Sequence, residues 1–267
     1  MTLHLREDFA RAWQGQDPFL AVQALQGELY RNVKGRRTLR FEQQGRAYFA
    51  KIHLGVGWGE ILKNLLSLRL PILGARNEWQ AIARLRELGV ATMTAVAYGE
   101  RGWNPARRLS FIVTEALEGT ISLEDYCANW LQQRPPLARK WQLIDSLAHI
   151  SRQLHEHGIC HRDYYICHFL LHDAAQFEAG AAPRLSLIDL HRALIDTALP
   201  RRWIVKDVAG LYFSALHIGL NRQDFLRFVR VYSGKSVRAA LRENAPFWNE
   251  VQRKALQLDR KINHGDA

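Results

Sequence analysis

The sequence predicts an α+β protein in two lobes: an antiparallel-sheet lobe over residues 1–117 and a mainly helical lobe over residues 118–267. Three observations predict it. The chain of 267 residues is 48% hydrophobic, enough to bury a core in each lobe and too apolar for a disordered tail. Its first part reads as short extended runs separated by glycine-bearing turns. Its second part carries apolar residues at spacings of three and four. Two lobes of this kind leave a cleft between them, the usual place for a ligand.

The elements follow in order. ELYRNV, TLRFEQ and AYFAKIH, within residues 28–53, read as three strands of a meander joined by KGRR and QGR turns. GVGWGEILKNLLSLRLPILGAR then places Ile61, Leu62, Leu65, Leu66, Ile72 and Leu73 at helical spacing, with Pro71 disturbing its end. A second helix, NEWQAIARLRELG, takes Asn77 as N-cap, Trp79, Ile82 and Leu85 as its apolar face and Gly89 as its stop. TAVAYGE and RLSFIVTEAL read as two further strands. SLEDYCANWL and LARKWQLIDSLAHISRQLHEHG are helical, the latter closed by Gly158. RLSLIDLHRAL is a short strand ending at Asp189, and RRWIVKDVAGLYFSALHIG opens a run of basic amphipathic helices.

Charge narrows the function classes. Lys and Arg number 37 against 26 Asp and Glu, a net +11 that attracts phosphate, anionic lipid, nucleic acid or an acidic protein. The basic residues are not interleaved with an aromatic platform or set on a recognition helix, which argues against nucleic acid. Three cysteines without a CxxC pair suit a reducing compartment, and the charged start MTLHLREDFARAWQGQDPF has no export signal, so a cytoplasmic location is expected. No run of 18 apolar residues exists to span a membrane.

The stretch HGICHRDYYICHFLLH, residues 157–172, is dense in His and Cys around Arg162 and Asp163. It reads either as a metal knot or as a phosphotransfer loop. Cys160 and Cys167 are separated by six residues and no second ligand pair accompanies them, a poor match to zinc spacing. Phosphoryl transfer needs a cation on the nucleotide phosphates, carboxylates for Mg²⁺ and a carboxylate at the acceptor hydroxyl. Lys51 on a strand, Glu78 at a helix start, Asp163 in HRD and Asp189 after SLI supply these in the required order. An aspartate on an apolar strand is costly unless it is paired or metal-bound.

That order resembles the protein-kinase-like fold. FAKIH, GWGEILKNLL, GARNEWQAI, ATMTAVAYGERG, HRDYYICHFLLH and SLIDLHRA more specifically resemble the lipopolysaccharide core heptose(I) kinase family (WaaP/RfaP), over nearly the whole chain. The resemblance implies an ATP- and Mg²⁺-dependent enzyme that phosphorylates the first heptose of the lipopolysaccharide inner core at the cytoplasmic face of the inner membrane. It implies Asp163 as catalytic base, Asp189 as Mg²⁺ ligand, Lys51 as phosphate-binding lysine and Glu78 as its partner. Glu115 and Leu117 are added as nucleotide contacts, and acyl carrier protein as a partner.

Departures from general kinases are visible. His168 stands where an Asn would hold a second Mg²⁺, so it is either a metal ligand or a positioning group. DLH replaces DFG, and NVKGRRT keeps one glycine, Gly35, with Arg36 and Arg37 as substitutes for backbone N–H groups toward phosphate. Asp207 resembles the helix aspartate that holds such a loop from below. Arg107, Arg108, Arg201 and Arg202 are candidates for anion contacts. Residues 60–73 are expected either at an anionic membrane surface or a partner, or as a helix buried in the core. Two other classes stay open: a kinase of another hydroxyl acceptor, such as another sugar, an aminoglycoside or a protein side chain, and a non-catalytic anion-binding module.

Overall fold

The computed structural model describes residues 1–33, 35–55, 57–59, 74–263 and 265. Residues 60–73, where a membrane or partner contact is expected, lie outside them. The chain forms two compact units: Met1–Arg84 with Thr92–Glu118 and Leu190–Arg192, and Leu85–Ala91 with Gly119–Asp189 and Ala193–Ala267.

The first unit is a six-stranded antiparallel sheet. Its elements are β1 (Thr2–Leu5), α1 (Glu7–Ala12), α2 (Pro18–Ala24), β2 (Glu28–Val33), β3 (Arg36–Gln43), β4 (Arg46–His53), α3 (Arg76–Glu87), β5 (Ala95–Arg101) and β6 (Leu109–Glu115). Strand order is β1-β5-β6-β4-β3-β2. Side chains alternate between faces along each strand, and residues directly opposite share a face. Thr38 lies opposite Lys51 and Leu39 opposite Ala50, so adjacent residues have opposite fates. One face carries Leu39, Phe41, Tyr48, Ala50, Ile52, Phe111 and Val113, which pack with Phe9 and Trp13 of the α1 segment and Phe19 and Val22 of α2 into a buried core. The other face carries Lys51 and His53.

One local expectation is corrected here. α3 begins at Arg76, so Asn77 sits inside its first turn rather than at its N-cap. The entry is held instead by Ser110 on β6, whose Oγ accepts the Ala75 N–H at 3.0 Å. A cap supplied by a distant strand leaves no local signature. β1, α1 and α2 were not anticipated; α2 has a readable start, with Asp17 accepting the Phe19 N–H and Pro18 in the first turn.

The second unit holds β7 (Thr120–Ser122), α4 (Leu123–Cys127), α5 (Leu137–Glu156), β8 (Ile159–Cys160), β9 (Phe169–His172), α6 (Ala174–Glu178), β10 (Leu185–Leu187), β11 (Leu194–Ile195), α7 (Arg201–Ser214), α8 (Arg222–Ser233), α9 (Val237–Glu243) and α10 (Ala245–Asn263). β10-β9-β7 and β11-β8 are small antiparallel sheets. α5 buries Leu143, Ile144, Ala148, Ser151 and Leu154 along one face. A buried ion pair, Lys140 Nζ to Asp224 Oδ2 at 2.7 Å, ties α5 to α8. Val205, Val208 and Ala209 of α7 pack on Val251 and Ala255 of α10. SLEDYCANWL is helical only through Cys127. β10 stops at Leu187, so Asp189 lies two residues past the strand, with φ of 60°. The backbone leaves extended geometry there, which ends the ladder.

Among the described residues no helix is long and apolar enough to cross a membrane.

Candidate active site

In the first unit, Lys51 Nζ donates to Glu78 Oε1 at 2.7 Å. The Glu78 side chain is 1% exposed and that of Lys51 16%. A carboxylate this buried is tolerable only with its cation present, so the pair fixes the lysine stem in one direction. On the same sheet face, Thr38 Oγ1 and His53 Nε2 are buried without a hydrogen-bond partner among the described residues. Burial, reinforced by the Arg36 and Lys51 cations and by His191, depresses the His53 imidazole to about 3, which keeps it neutral.

The other nucleotide candidates of this unit separate. Gly35 takes φ of +79°, the left-handed turn that favours glycine. Arg36, opposite His53, shares the lysine's face. Arg37 does not, and its guanidinium donates to Gln23 O at 3.1 Å and Leu25 O at 3.0 Å at the end of α2. Strand alternation sends it to the α2 side, so the expectation that it meets phosphate is corrected. The Glu115 carboxylate is taken by Arg6, which also grips Asp8. Leu117 is half-buried beyond β6.

In the second unit, the loop after β8 is held by one carboxylate. Asp207 of α7, fully buried, accepts the His161 N–H at 2.6 Å and the Arg162 N–H at 2.7 Å. Gly210, one turn further on, lies against the loop so closely that a Cβ would sit 2.9 Å from Tyr164 O. His161 is buried and burial holds its ring neutral. Its Nε2 donates to Ile188 O at 2.8 Å, while its Nδ1 accepts the Asp163 N–H at 3.3 Å. One imidazole therefore joins the segment of Asp163 to the segment of Asp189.

His168 closes the same arrangement. Its Nδ1 lies 2.7 Å from Asp163 O and its Nε2 3.8 Å from Asp189 Oδ2. A carbonyl oxygen can only accept, so Nδ1 carries the proton and, in the neutral ring, Nε2 turns a lone pair toward a carboxylate. Two electron-rich groups converging this way fit a cation between them. Asp189 and His168 could thus hold a divalent ion, with oxygen from Asp189 the better Mg²⁺ donor. Arg162 at φ 72° and Asp189 at φ 60° are two of the four non-glycine residues with positive φ among those described. Such backbone costs free energy and concentrates at functional sites.

Asp163, His168 and Asp189 are thus brought together. Sequence reasoning missed Lys206, whose Nζ lies 3.8 Å from Asp163 Oδ1 and donates to Arg162 O. It follows no motif, and only its place beside Asp207 could have flagged it. The arginines proposed for anions are partly engaged: Arg108 with Glu100 at 3.4 Å, and Arg201 with Glu250 at 3.4 Å. Arg202 lies over the Trp203 ring and Arg107 is exposed.

The metal-knot reading fares differently. His155, Cys160 and Asp207 approach within 4.8 Å in the interior. Burial and the Asp207 carboxylate push the Cys160 thiol up, which raises the cost of the thiolate that a metal would need. Both Asp207 oxygens are committed to the loop, and His155 Nδ1 pairs with Tyr232 Oη at 2.8 Å.

Comparison with known proteins identifies the family. The model of the lipopolysaccharide kinase (Kdo/WaaP) family matches residues 20–232. The chain is 55% identical over 267 residues to the lipopolysaccharide core heptose(I) kinase WaaP of Pseudomonas aeruginosa PAO1, covering 100% of this chain and 99% of that protein. It is 49% identical over 256 residues to the Escherichia coli protein of that name, covering 96% of each. A solved structure of WaaP in complex with acyl carrier protein matches with a TM-score of 0.84 and 51% identity, over 97% of this chain and 99% of that one. The chain belongs to the lipopolysaccharide kinase (Kdo/WaaP) family.

Proposed function

We propose that the chain transfers the γ-phosphoryl group of ATP to the first heptose of the lipopolysaccharide inner core. The observation that carries this reading is the 55% identity, from end to end, with a core heptose(I) kinase. The chemistry of the candidate residues within each unit supports it. Lys51, steered by Glu78, binds nucleotide phosphate, and Gly35, Arg36 and the Glu115–Leu117 segment complete the nucleotide contacts. Asp163 takes the proton of the heptose hydroxyl. The hydroxyl oxygen then bonds to the γ-phosphorus as the bond to the β,γ-bridging oxygen breaks, and ADP leaves with that electron pair. Asp189, with His168 beside it, is the holder of Mg²⁺, which when bound would neutralise phosphate charge.

The acceptor is an anionic glycolipid, and the net charge of +11 suits its surface and peripheral contact with an anionic inner membrane on the cytoplasmic side. The same charge suits acyl carrier protein, the partner of the related solved protein. The test is transfer of labelled phosphate from ATP to core oligosaccharide whose first heptose is unphosphorylated, with the product mapped by mass spectrometry. One added phosphate on that heptose is expected. Phosphate on another sugar, or on none, would overturn the acceptor assignment.

A further inference from the structure

From Asp163 to His168 the loop sequence contains no Lys or Arg. After Asp163 come Tyr164, Tyr165, Ile166, Cys167 and His168, and the histidine is turned onto Asp163 O. Phosphoryl transfer here would gather two carboxylates, Asp163 and Asp189, around a phosphate whose three equatorial oxygens share negative charge. A further positive group beside Asp163 would offset that charge in addition to Lys51 and bound Mg²⁺. We infer that Lys206 is a further catalytic residue, whose ammonium contacts the transferring phosphoryl group beside the acceptor oxygen.

Geometry fixes it there. Lys206 Nζ is 3.8 Å from Asp163 Oδ1, too far for a direct hydrogen bond and within reach of an oxygen bound next to that carboxylate. It donates to Arg162 O, and its ammonium lies 5.9 Å from the centre of the Trp203 ring. Its chain neighbour Asp207 is the buried clamp of the loop, so one turn of α7 both anchors the loop and presents the charge. Adjacent helical residues diverge by about 100° around the axis, which lets Asp207 be fully buried while a third of Lys206 stays accessible. In the step itself Lys206 keeps its protons; Asp163 receives the hydroxyl proton, and the cation offsets charge on the phosphoryl oxygens as one P–O bond forms and the other breaks.

The inference rests on the kinase reading, and the test separates the two. Wild type, Lys206→Met and Lys206→Arg are compared for heptose phosphorylation and for ATP hydrolysis without acceptor, using ATP and ATPγS. Lys206→Met keeps the stem against Trp203 and removes the charge. Its kcat should fall about 10²-fold with the KM for ATP nearly unchanged, as for loss of one transition-state donor. The ratio of rates with ATP and ATPγS should shrink in Lys206→Met, because sulfur on the transferred group weakens a contact that this variant no longer has. Lys206→Arg should restore at least a tenth of wild-type kcat. A kcat within threefold of wild type in Lys206→Met would overturn the inference. So would a lower kcat with an unchanged ATP/ATPγS ratio, which marks a loop support through Arg162 O. A wild type that hydrolyses ATP yet leaves heptose untouched would instead break the acceptor assignment, with the Lys206 comparison still read from hydrolysis.

Discussion

The candidate residues of the two units are held by opposite means. In the sheet unit, a cation and a carboxylate 27 residues apart in sequence hold each other, Lys51 to Glu78 at 2.7 Å, and the pair needs only a strand and a helix to frame it. In the helical unit, the candidate side chains are held through backbone. Asp207 takes two loop N–H groups, and His161 joins the Asp163 segment to Ile188. The first arrangement aims a charge. The second fixes a loop whose Arg162 sits at positive φ, a conformation that survives only where surrounding bonds impose it.

That difference predicts different damage. Asp207→Ala strips the acceptor from two buried N–H groups and should cost about 2–6 kcal/mol by urea denaturation, with transfer abolished even in the folded fraction. Retention of both stability and activity would mean that the loop does not depend on its clamp. Lys51→Met leaves the Glu78 carboxylate buried without its cation and should cost about 3 kcal/mol. Adding Glu78→Met should recover most of that stability while activity stays lost. Recovery of activity along with stability would show that the pair is packing alone.

A smaller effect concerns pH. The folded pKa of His53 is depressed to about 3 from an ordinary 6.5, so between those values the unfolded chain binds a proton that the folded chain refuses. Stability is therefore intact above pH 6.5 and is lost as pH falls below it. His53 should account for about 2 kcal/mol between pH 7 and 5. His161, also held neutral by burial, adds to the wild-type loss, so the measurement is the difference between wild type and His53→Leu in thermal unfolding across that range. Parallel curves would place the proton uptake elsewhere.

The sheet was largely legible because short extended runs and the Gly35 and Gly45 turns are local signals, and β2, β3 and β4 fall on those runs. Asp163, Asp189, Lys51 and Glu78 were picked out by their order along the chain, and the structure pairs Lys51 with Glu78 and groups Asp163 with His168 and Asp189. What escaped was tertiary. The α3 entry depends on Ser110, Arg37 is diverted by strand parity to the carbonyls of α2, and Asp189 leaves the strand by a left-handed residue. Lys206 is placed by helix phase relative to Asp207, which becomes readable only once α7 is packed under the loop.

The account stands or falls on Asp163 as the base. Asp163→Asn preserves size and removes the proton acceptor, so single-turnover transfer from ATP to the heptose should slow by about 10²–10⁴-fold, with nucleotide affinity and thermal stability close to wild type. A transfer rate within a few-fold of wild type would contradict it.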